Sequence, residues 1–260
     1  MKLTVLTENT VCDTALTPEH GVSFYIETAA HRILFDMGQS ALFATHAIRM
    51  GVDLSAVDVA VLSHGHYDHG GGLAHFLQIN KTAPVYLSEH AFEPHYRKDG
   101  TDIGLSAALA REPRLVQVGE HLKIDDELEL FACNCRERPF GTDTAGLCMA
   151  GMEPEDFRHE QYLLIKEHDK RILISGCSHK GILNIVEWFS PDVLIGGLHL
   201  NKHATIGAES EALARIAGQL MQKDTVYYTC HCTGIPQYDF LRERMGERIC
   251  YLSCGTTVQI

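Results

Sequence analysis

Short apolar runs rich in β-branched residues alternate along the chain with segments whose apolar positions recur at helical spacing. The runs are bounded by Gly, Asp, Asn or Pro and predict β-strands. These strands cover residues 2–6, 23–28, 32–35, 57–62, 84–88, 161–166, 171–175, 193–195 and 225–229. The helical spacing predicts helices at about residues 39–50, 72–79, 181–189 and 209–222. This alternation is typical of an α/β fold.

Residues from about 91 to 160 interrupt this regularity with a mixed, polar stretch. It contains strand patterns at 115–118 and 127–132, and a Gly- and Met-containing stretch at 141–152 that predicts a long loop. We interpret the segment as an elaboration that covers the active site of one domain spanning residues 1–260. With 260 residues and 45% hydrophobic content, the chain is large enough to bury a substantial core.

Acidic residues outnumber basic ones by 34 to 22, and the formal net charge is -12. This balance disfavours nucleic acid polymers and anionic membranes as partners and leaves a small molecule as the expected one. Without an apolar run long enough for a signal peptide or a membrane span, we expect a cytoplasmic protein. Nine cysteines in a chain of this length are expected to be reduced thiols. The sequence leaves the oligomeric state open.

The densest group of ligand-type side chains directly follows the strand predicted at 57–62. His64, His66, Asp68 and His69 fall within six residues. In an extended turn, His64 and His66 can reach one metal ion, while Asp68 and His69 turn toward a second position about 3.5–4 Å away. Packing and solvation give no reason to concentrate imidazoles and a carboxylate at this spacing, so the run predicts a metal site.

The segment from Ser63 to His69, placed after a β-strand, resembles the His-x-His-x-Asp-His motif of the metallo-β-lactamase superfamily of hydrolases. The resemblance implies an α/β fold of the αββα type, in which two mixed sheets pack against each other between helices. It also implies a dinuclear metal centre completed by ligands from later strands. The order of predicted elements agrees with this family over nearly the whole chain.

The later candidates, Cys177, His179, His199 and His231, each follow a buried strand, where one sheet edge gathers residues distant in sequence. We expect His179 to be a ligand, and His231 resembles the last metal ligand of the superfamily. His199 remains open between a ligand and a substrate contact. The superfamily usually has a bridging aspartate where this chain has Cys177, and that thiol either bridges the metals or lies behind them.

A narrower resemblance is to the subgroup labelled pterin-linked ribofuranosylaminobenzene-phosphate synthase, of methanopterin biosynthesis. It is weakest from about residue 91 to 160, and the label is carried by many proteins of organisms that make no such cofactor. It therefore supports the architecture and the site better than it supports that substrate. The motifs that carry the resemblance are at residues 8–10, 19–23, 34–38, 176–181, 197–200 and 231–234.

Three further residues belong to these motifs. Asp36 is expected to be a buried carboxylate that orients the metal loop, because metal-binding histidines usually donate their other N–H to such a partner. Glu19 and His20 are candidates to bind substrate, since their loop lies on the edge of the metals if the fold is the implied one.

These observations predict hydrolysis by a metal-activated water, with Asp68 binding a metal and holding the proton of the nucleophile and His199 stabilising charge on the leaving oxygen. Two zinc ions fit the histidine-rich ligands best, with manganese, iron or nickel as alternatives. The subgroup label favours a phosphate ester or phosphodiester of a nucleotide-like or pterin-like molecule. A synthase joining a dihydropterin to a ribofuranosylaminobenzene phosphate, with the metal as Lewis acid, is one alternative. A non-catalytic, metal-dependent ligand sensor is another.

Overall fold

Two seven-stranded sheets form the centre of the molecule in the computed structural model, which describes residues 1–142, 144 and 146–260. The strands are β1 (Lys2–Thr7), β2 (Ser23–Glu27), β3 (Arg32–Phe35), β4 (Val59–Val61), β5 (Val85–Ser88), β6 (His95–Arg97), β7 (Leu115–Val118), β8 (His121–Lys123), β9 (Leu128–Phe131), β10 (Leu147–Met149), β11 (Tyr162–Glu167), β12 (Lys170–Ile174), β13 (Val193–Ile195), β14 (Val226–Thr229), β15 (Ile249–Tyr251) and β16 (Thr257–Gln259). The α-helices are α1 (Leu42–Arg49), α2 (Tyr67–Gly70), α3 (Leu73–Ile79), α4 (Ile182–Phe189), α5 (Glu211–Leu220) and α6 (Ile235–Met245).

Both large sheets are mixed. The first has the order β16-β1-β2-β3-β4-β5-β7 and is parallel from β3 to β7. The second has the order β15-β14-β13-β12-β11-β9-β8 and is parallel from β12 to β15. Parallel strands end at a common edge, so each sheet presents several loops at the carboxyl ends of its strands, which is where α/β proteins usually bind ligands.

The core between the sheets follows from the two-residue period of the strands. In β2, Phe24 and Ile26 point between the sheets, while Tyr25 packs under the helices on the outer face. In β11, Leu163 and Ile165 do the same from the opposite side. Each such side chain contributes about 1.5–3 kcal/mol when it leaves water. Face-to-face packing of these inner surfaces joins the sheets into a sandwich.

Helices cover both outer faces. The apolar side of α1, with Phe43 and Ala47, packs on the first sheet together with Phe76 of α3. The helices α4, α5 and α6 cover the second sheet, with Ile185 and Leu213 among the buried contacts. The order of layers is therefore helix, sheet, sheet, helix, which confirms the αββα prediction. In the described part of the chain, no helix has the length and apolar character needed to cross a membrane.

The segment predicted as a long loop at 141–152 contains a strand. Its β10 pairs antiparallel with β6, a strand that the sequence pattern did not reveal. The pairing draws two parts of the irregular segment together, because each strand supplies the backbone partners that the other lacks. The short strands β8, β15 and β16 and the helix α6 were also not predicted.

Candidate metal centre

The histidine-rich motif lies at the carboxyl edge of the first sheet, where β4 ends and α2 begins. His64 and His66 lie in the connecting loop, while Asp68 and His69 lie in the single turn of α2. All four side chains are buried. Because successive helical residues point about 100° apart, the turn directs Asp68 and His69 toward different neighbours.

His64 forms a first group with His66 and His179, whose ligand atoms all lie within 4.8 Å of one another. The Ser63 hydroxyl donates to Asp36 at 2.7 Å and so accepts from His64 Nδ1 at 2.8 Å, which leaves His64 Nε2 unprotonated. That nitrogen lies 3.3 Å from His179 Nε2. Two ligands on one tetrahedral zinc ion are roughly 3.3 Å apart. Burial holds the pKa of His64 and of His179 well below the usual value, so both rings are neutral and available as ligands.

His69 belongs to a second group with His64 and Cys177. Its Nδ1 donates to Asp36 at 2.7 Å, and its Nε2 lies 3.2 Å from Cys177 Sγ. Burial lowers the pKa of His69, but the carboxylates of Asp36 and Asp68 outweigh it and raise the pKa to about 9. Burial raises the pKa of the Cys177 thiol well above its usual value. A metal bound by this pair would therefore displace protons from His69 and Cys177.

Asp68 forms a third group with His231 and His20. Its Oδ2 lies 3.3 Å from His231 Nε2 and 3.2 Å from His20 Nε2. The Asn9 side-chain oxygen Oδ1 accepts from His231 Nδ1 at 2.8 Å, so Nε2 is the nitrogen of His231 that faces Asp68. Burial raises the pKa of Asp68, but His69 and hydrogen bonds from His20 and His231 outweigh it, and the pKa lies well below the usual value. The side chain of Asp68 is therefore an ionised carboxylate.

Four residues of the site have left-handed backbone conformations. The φ angles are 57° at Asp36, 60° at Ser178, 53° at His199 and 49° at His231. Such conformations cost of order 1–3 kcal/mol each and persist only where surrounding contacts hold them. At His231 the contact is visible, because its backbone N–H donates to the buried Glu8 carboxylate at 2.6 Å. The fold therefore holds the strand-end loops in conformations that favour the site over local stability.

Of the three residues predicted as possible substrate contacts, two lie at the cavity beside the metal ligands. His20 and His199 line the cavity beside the metal ligands, and the His199 ring centroid lies 4.4 Å from that of His179. Glu19 instead accepts a hydrogen bond from Ser40 and is not among the residues that line the cavity. Asp36 occupies the orienting position that the sequence predicts, with both of its oxygens engaged by Ser63 and His69.

A cavity of about 550 Å³ opens over the three groups. Besides the ligand-type side chains, it is lined by three cations, Arg97, Lys98 and Lys202, and by one further carboxylate, Asp99. A second cavity of about 530 Å³ shares the wall formed by His179, His199 and Lys202. This second cavity is more apolar, with Phe140, Ile182, Leu183, Leu198 and Ile216 in its lining.

Sequence reasoning missed several residues of the site. Glu155, His95 and His159 are buried beside His66 and form a fourth ligand-type group with it. His95 and Glu155 lie in the irregular segment, where no periodicity marks them. His159 lies two residues before the start of the strand predicted at 161–166, so its position at a strand edge was the one available signal.

Comparison with known families shows which family has this fold and motif. Residues 16–142, which include the motif and its strand, match the model of the metallo-β-lactamase superfamily. The chain belongs to the metallo-β-lactamase superfamily. It has the fold of that superfamily's metal-dependent hydrolases. The buried ligand groups lie at the loop between β4 and α2, which carries the motif.

Two relatives from Methanocaldococcus jannaschii cover most of the chain. An uncharacterized protein is 31% identical over 224 residues, covering 83% of this chain and 84% of the relative. The 7,8-dihydropterin-6-methyl-4-(β-D-ribofuranosyl)-aminobenzene-5'-phosphate synthase is 27% identical over 277 residues, covering 93% of this chain and 90% of the relative. The second likeness agrees with the subgroup resemblance found in the sequence.

Among solved structures, Tm1679 is similar over the full length. It is described as a metal-dependent hydrolase of the β-lactamase superfamily. The two structures superpose with a TM-score of 0.82 at 25% identity, covering 100% of this chain and 99% of the other.

Proposed function

We propose that the protein is a metal-dependent hydrolase of small phosphate esters. Its ions would be held by His64, His66 and His179 on one side and by Asp68, His69 and His231 on the other, with Cys177 in the place of the usual bridging aspartate. The observation that carries this proposal is the convergence of buried imidazole, carboxylate and thiol groups in three adjoining sets, within each of which the ligand atoms lie within 4.8 Å of one another.

The chemistry of the donors fits zinc. Imidazole nitrogen, carboxylate oxygen and thiolate sulfur are its usual ligands. The hydrogen bonds to Asp36, Ser63 and Asn9 select the ring nitrogen that faces inward, which is how neighbours usually orient metal-binding histidines. Without an ion, these inward-facing groups would remain buried with few partners, which is costly.

Zinc, when bound, lowers the pKa of water toward neutrality and polarises an ester oxygen. The residues of the chain supply the remaining functions. Asp68 is ionised and faces the cavity, so its carboxylate can accept the proton of the attacking water. His199, on the wall between the two cavities, is positioned to meet the leaving group, and His20 lies at the cavity mouth beside Asp68.

A phosphorylated substrate is supported by the charge of the cavity. The chain as a whole carries a net charge of -12, yet Arg97, Lys98 and Lys202 line the space next to the ligands. Cations in this position stabilise the negative charge of a phosphoryl group and of its transition state. The apolar cavity behind His199 can accept a ring system attached to the phosphate.

A synthase is the second candidate, favoured by one observation. The relative named as a dihydropterin-linked ribofuranosylaminobenzene-phosphate synthase is similar over 93% of this chain. In that case the same ion would act as a Lewis acid, and the apolar cavity would hold one of two substrates while the cations hold the phosphate of the other.

The test uses protein stripped with a chelator and reloaded with zinc. We expect two zinc ions per chain and zinc-dependent hydrolysis of bis(p-nitrophenyl) phosphate. The variant His231→Ala should bind less zinc and lose on the order of 100-fold or more in kcat/KM. The matched control is His75→Ala, which changes an exposed histidine of α3.

Zinc binding without hydrolysis of any phosphate monoester or diester would contradict the proposal. Condensation of a dihydropterin with a phosphorylated ribofuranosyl compound by the same zinc-loaded protein would then favour the synthase. If neither reaction occurs while zinc still binds, the sensor hypothesis gains support.

A further inference from the structure

Glu155 is surrounded by three imidazoles in a deeply buried polar cluster beside the metal ligands. The side chains of Glu155, His66, His95 and His159 are between 1% and 5% exposed. Their ligand atoms lie within 4.8 Å of one another, so the cluster has the residue types and the spacing of a further metal site. The hydrogen bonds show whether the cluster is such a metal site or a set of side chains that bond to one another.

The protonation of His159 is determined by the backbone. The Gly65 N–H donates to His159 Nδ1 at 2.8 Å, so that nitrogen carries a lone pair and no hydrogen. A neutral imidazole has one N–H, which must then be on Nε2. Nε2 lies 2.9 Å from Glu155 Oε1. The nitrogen of His159 that contacts Glu155 therefore carries a hydrogen and has no lone pair for a metal.

The distances within the cluster lead to the same conclusion. His95 Nδ1 lies 2.5 Å from Glu155 Oε1, which is a hydrogen-bond distance and well below the roughly 3.3 Å between two ligands on one zinc ion. The pair His64 and His179, by contrast, is separated by 3.3 Å. The cluster is built around the carboxylate of Glu155, and its closest contact, between His95 and Glu155, leaves no space for an ion between these two side chains.

We propose that Glu155 is a positioning residue for His66, with His95 and His159 holding its carboxylate in place. The Oε2 of Glu155 accepts from His66 Nε2 at 3.4 Å, so the lone pair of His66 is on Nδ1. Nδ1 is then the atom that His66 contributes beside His64 to the first ion. This inference rests on the proposed function only for that last step, because the hydrogen-bonded cluster exists independently of any ion.

Neighbouring side chains and backbone hold Glu155 in its position beside His66. His95 Nδ1 at 2.5 Å and His159 Nε2 at 2.9 Å both contact Oε1 of Glu155, which leaves Oε2 toward His66. The backbone at Gly65 is also closely packed against the cluster, since a Cβ there would lie 2.9 Å from His95 Nε2. These contacts hold the carboxylate of Glu155 beside His66.

The cluster also connects the irregular segment to the metal ligands. His95 begins β6 and Arg97 ends it, so the strand that meets Glu155 also carries a cation of the substrate cavity. Glu155 follows the short strand β10, which pairs with β6. The position of His66 and that of the cavity wall are therefore held by one hydrogen-bonded unit.

The decisive measurement is the tautomer of His66 in the metal-free protein, read from long-range ¹H–¹⁵N correlations of ¹⁵N-histidine-labelled protein. We expect the hydrogen on Nε2 in the wild type. In Glu155→Gln, the amide nitrogen can face His66 while the amide oxygen stays with His95 and His159, so we expect the hydrogen of His66 to move to Nδ1. The affinity for the first zinc ion should fall 10–100-fold. The matched control is Glu153→Gln, an exposed glutamate of the same segment.

Three results would overturn the proposal. One is a hydrogen on Nδ1 of His66 in the wild type, which requires no variant and so does not depend on the folding of Glu155→Gln. Another is unchanged zinc affinity in a folded Glu155→Gln protein. The third is a third zinc ion per chain that is lost in this variant, since the cluster would then be a metal site. Failure of the proposed function is a separate result, namely a wild-type protein with the expected tautomer that binds no zinc.

Discussion

At the scale of single residues, the candidate site depends on which ring nitrogen of each histidine faces the other ligands. Asp36 settles this for His69 directly and for His64 through the Ser63 hydroxyl. Asn9 settles it for His231. Each of these partners lies outside the ligand set, yet each decides whether a ligand is ready when the ion arrives, because a ring turned the wrong way presents an N–H where a lone pair is needed.

The substitution Asp36→Asn tests this dependence. Asparagine tolerates the left-handed backbone of this position, where φ is 57°, so the change is confined to charge and to one oxygen. If the new amide nitrogen took the place of Oδ2, it would face the donors Ser63 and His69. His69 would in any case lose its charged acceptor. We expect zinc affinity to fall about 10–100-fold in a chelator competition. The control is Asp239→Asn, on the exposed side of α6. Equal affinities in the two variants would show that Asp36 does not orient His69.

At the scale of elements, the ligands are delivered by strands that end close together across the two sheets. The end of β12 in the second sheet meets the end of β4 in the first. A Cβ on Gly176 would lie 2.1 Å from the Ser63 hydroxyl and 3.1 Å from His64 Nδ1. Glycine at this position lets the two strand ends approach each other, so that Cys177 and His64 enter the same site.

The substitution Gly176→Ala should therefore separate these strand ends. We expect a loss of about 1–3 kcal/mol in the free energy of unfolding from overpacking, together with weaker zinc binding. Urea unfolding of the metal-free protein measures the first effect. The matched control is Gly218→Ala in α5, where a Cβ meets nothing within 4 Å and helix propensity should stabilise the protein by up to about 1 kcal/mol. A shift of stability in the same direction in both variants would show that the strand ends do not need glycine at position 176.

Helix α6 and the short strands show the limit of pattern-based prediction at this scale. The sequence of α6, IPQYDFLRERM, mixes charged and apolar residues without a clear apolar stripe. It nevertheless buries Phe240, Leu241 and Met245 against the second sheet. Strands of three residues such as β15 and β16 are stabilised chiefly by pairing with β14 and β1. Such pairings join residues far apart in sequence and leave no local periodicity.

At the scale of the whole molecule, the candidate ions would join the two halves of the sandwich. His64, His66 and His69 come from the first sheet, while His179 and His231 come from the second. An ion that binds the folded state alone stabilises it in proportion to the logarithm of its concentration over the dissociation constant. The metal would thus contribute to the fold as well as to the chemistry.

Removal of the metal should accordingly destabilise the protein. At a free zinc concentration about 1,000 times the dissociation constant, the stabilisation is about 4 kcal/mol. We expect calorimetry to show a lower melting temperature after chelation, with restoration on adding zinc. In His231→Ala the difference between the zinc-loaded and chelated protein should shrink. A melting temperature that does not respond to chelation would indicate that no ion joins the sheets.

What the sequence by itself determined was local. The spacing of His64, His66, Asp68 and His69 is a property of six consecutive residues, and apolar periodicity located most strands and helices to within a few positions. The placement of later candidates after buried strands followed from the same patterns, and the family resemblance supplied the order of layers.

Only the tertiary structure decided which side chains meet. It brought His179 to His64, Asn9 to His231 and Glu155 to His66, and it turned Glu19 away toward Ser40. These pairs are separated by up to 222 residues along the chain, and their contact depends on strand pairing, sheet packing and left-handed turns. The physical reason is that periodicity records which face of an element is buried, whereas hydrogen-bond partners are set by the packing of whole elements against one another.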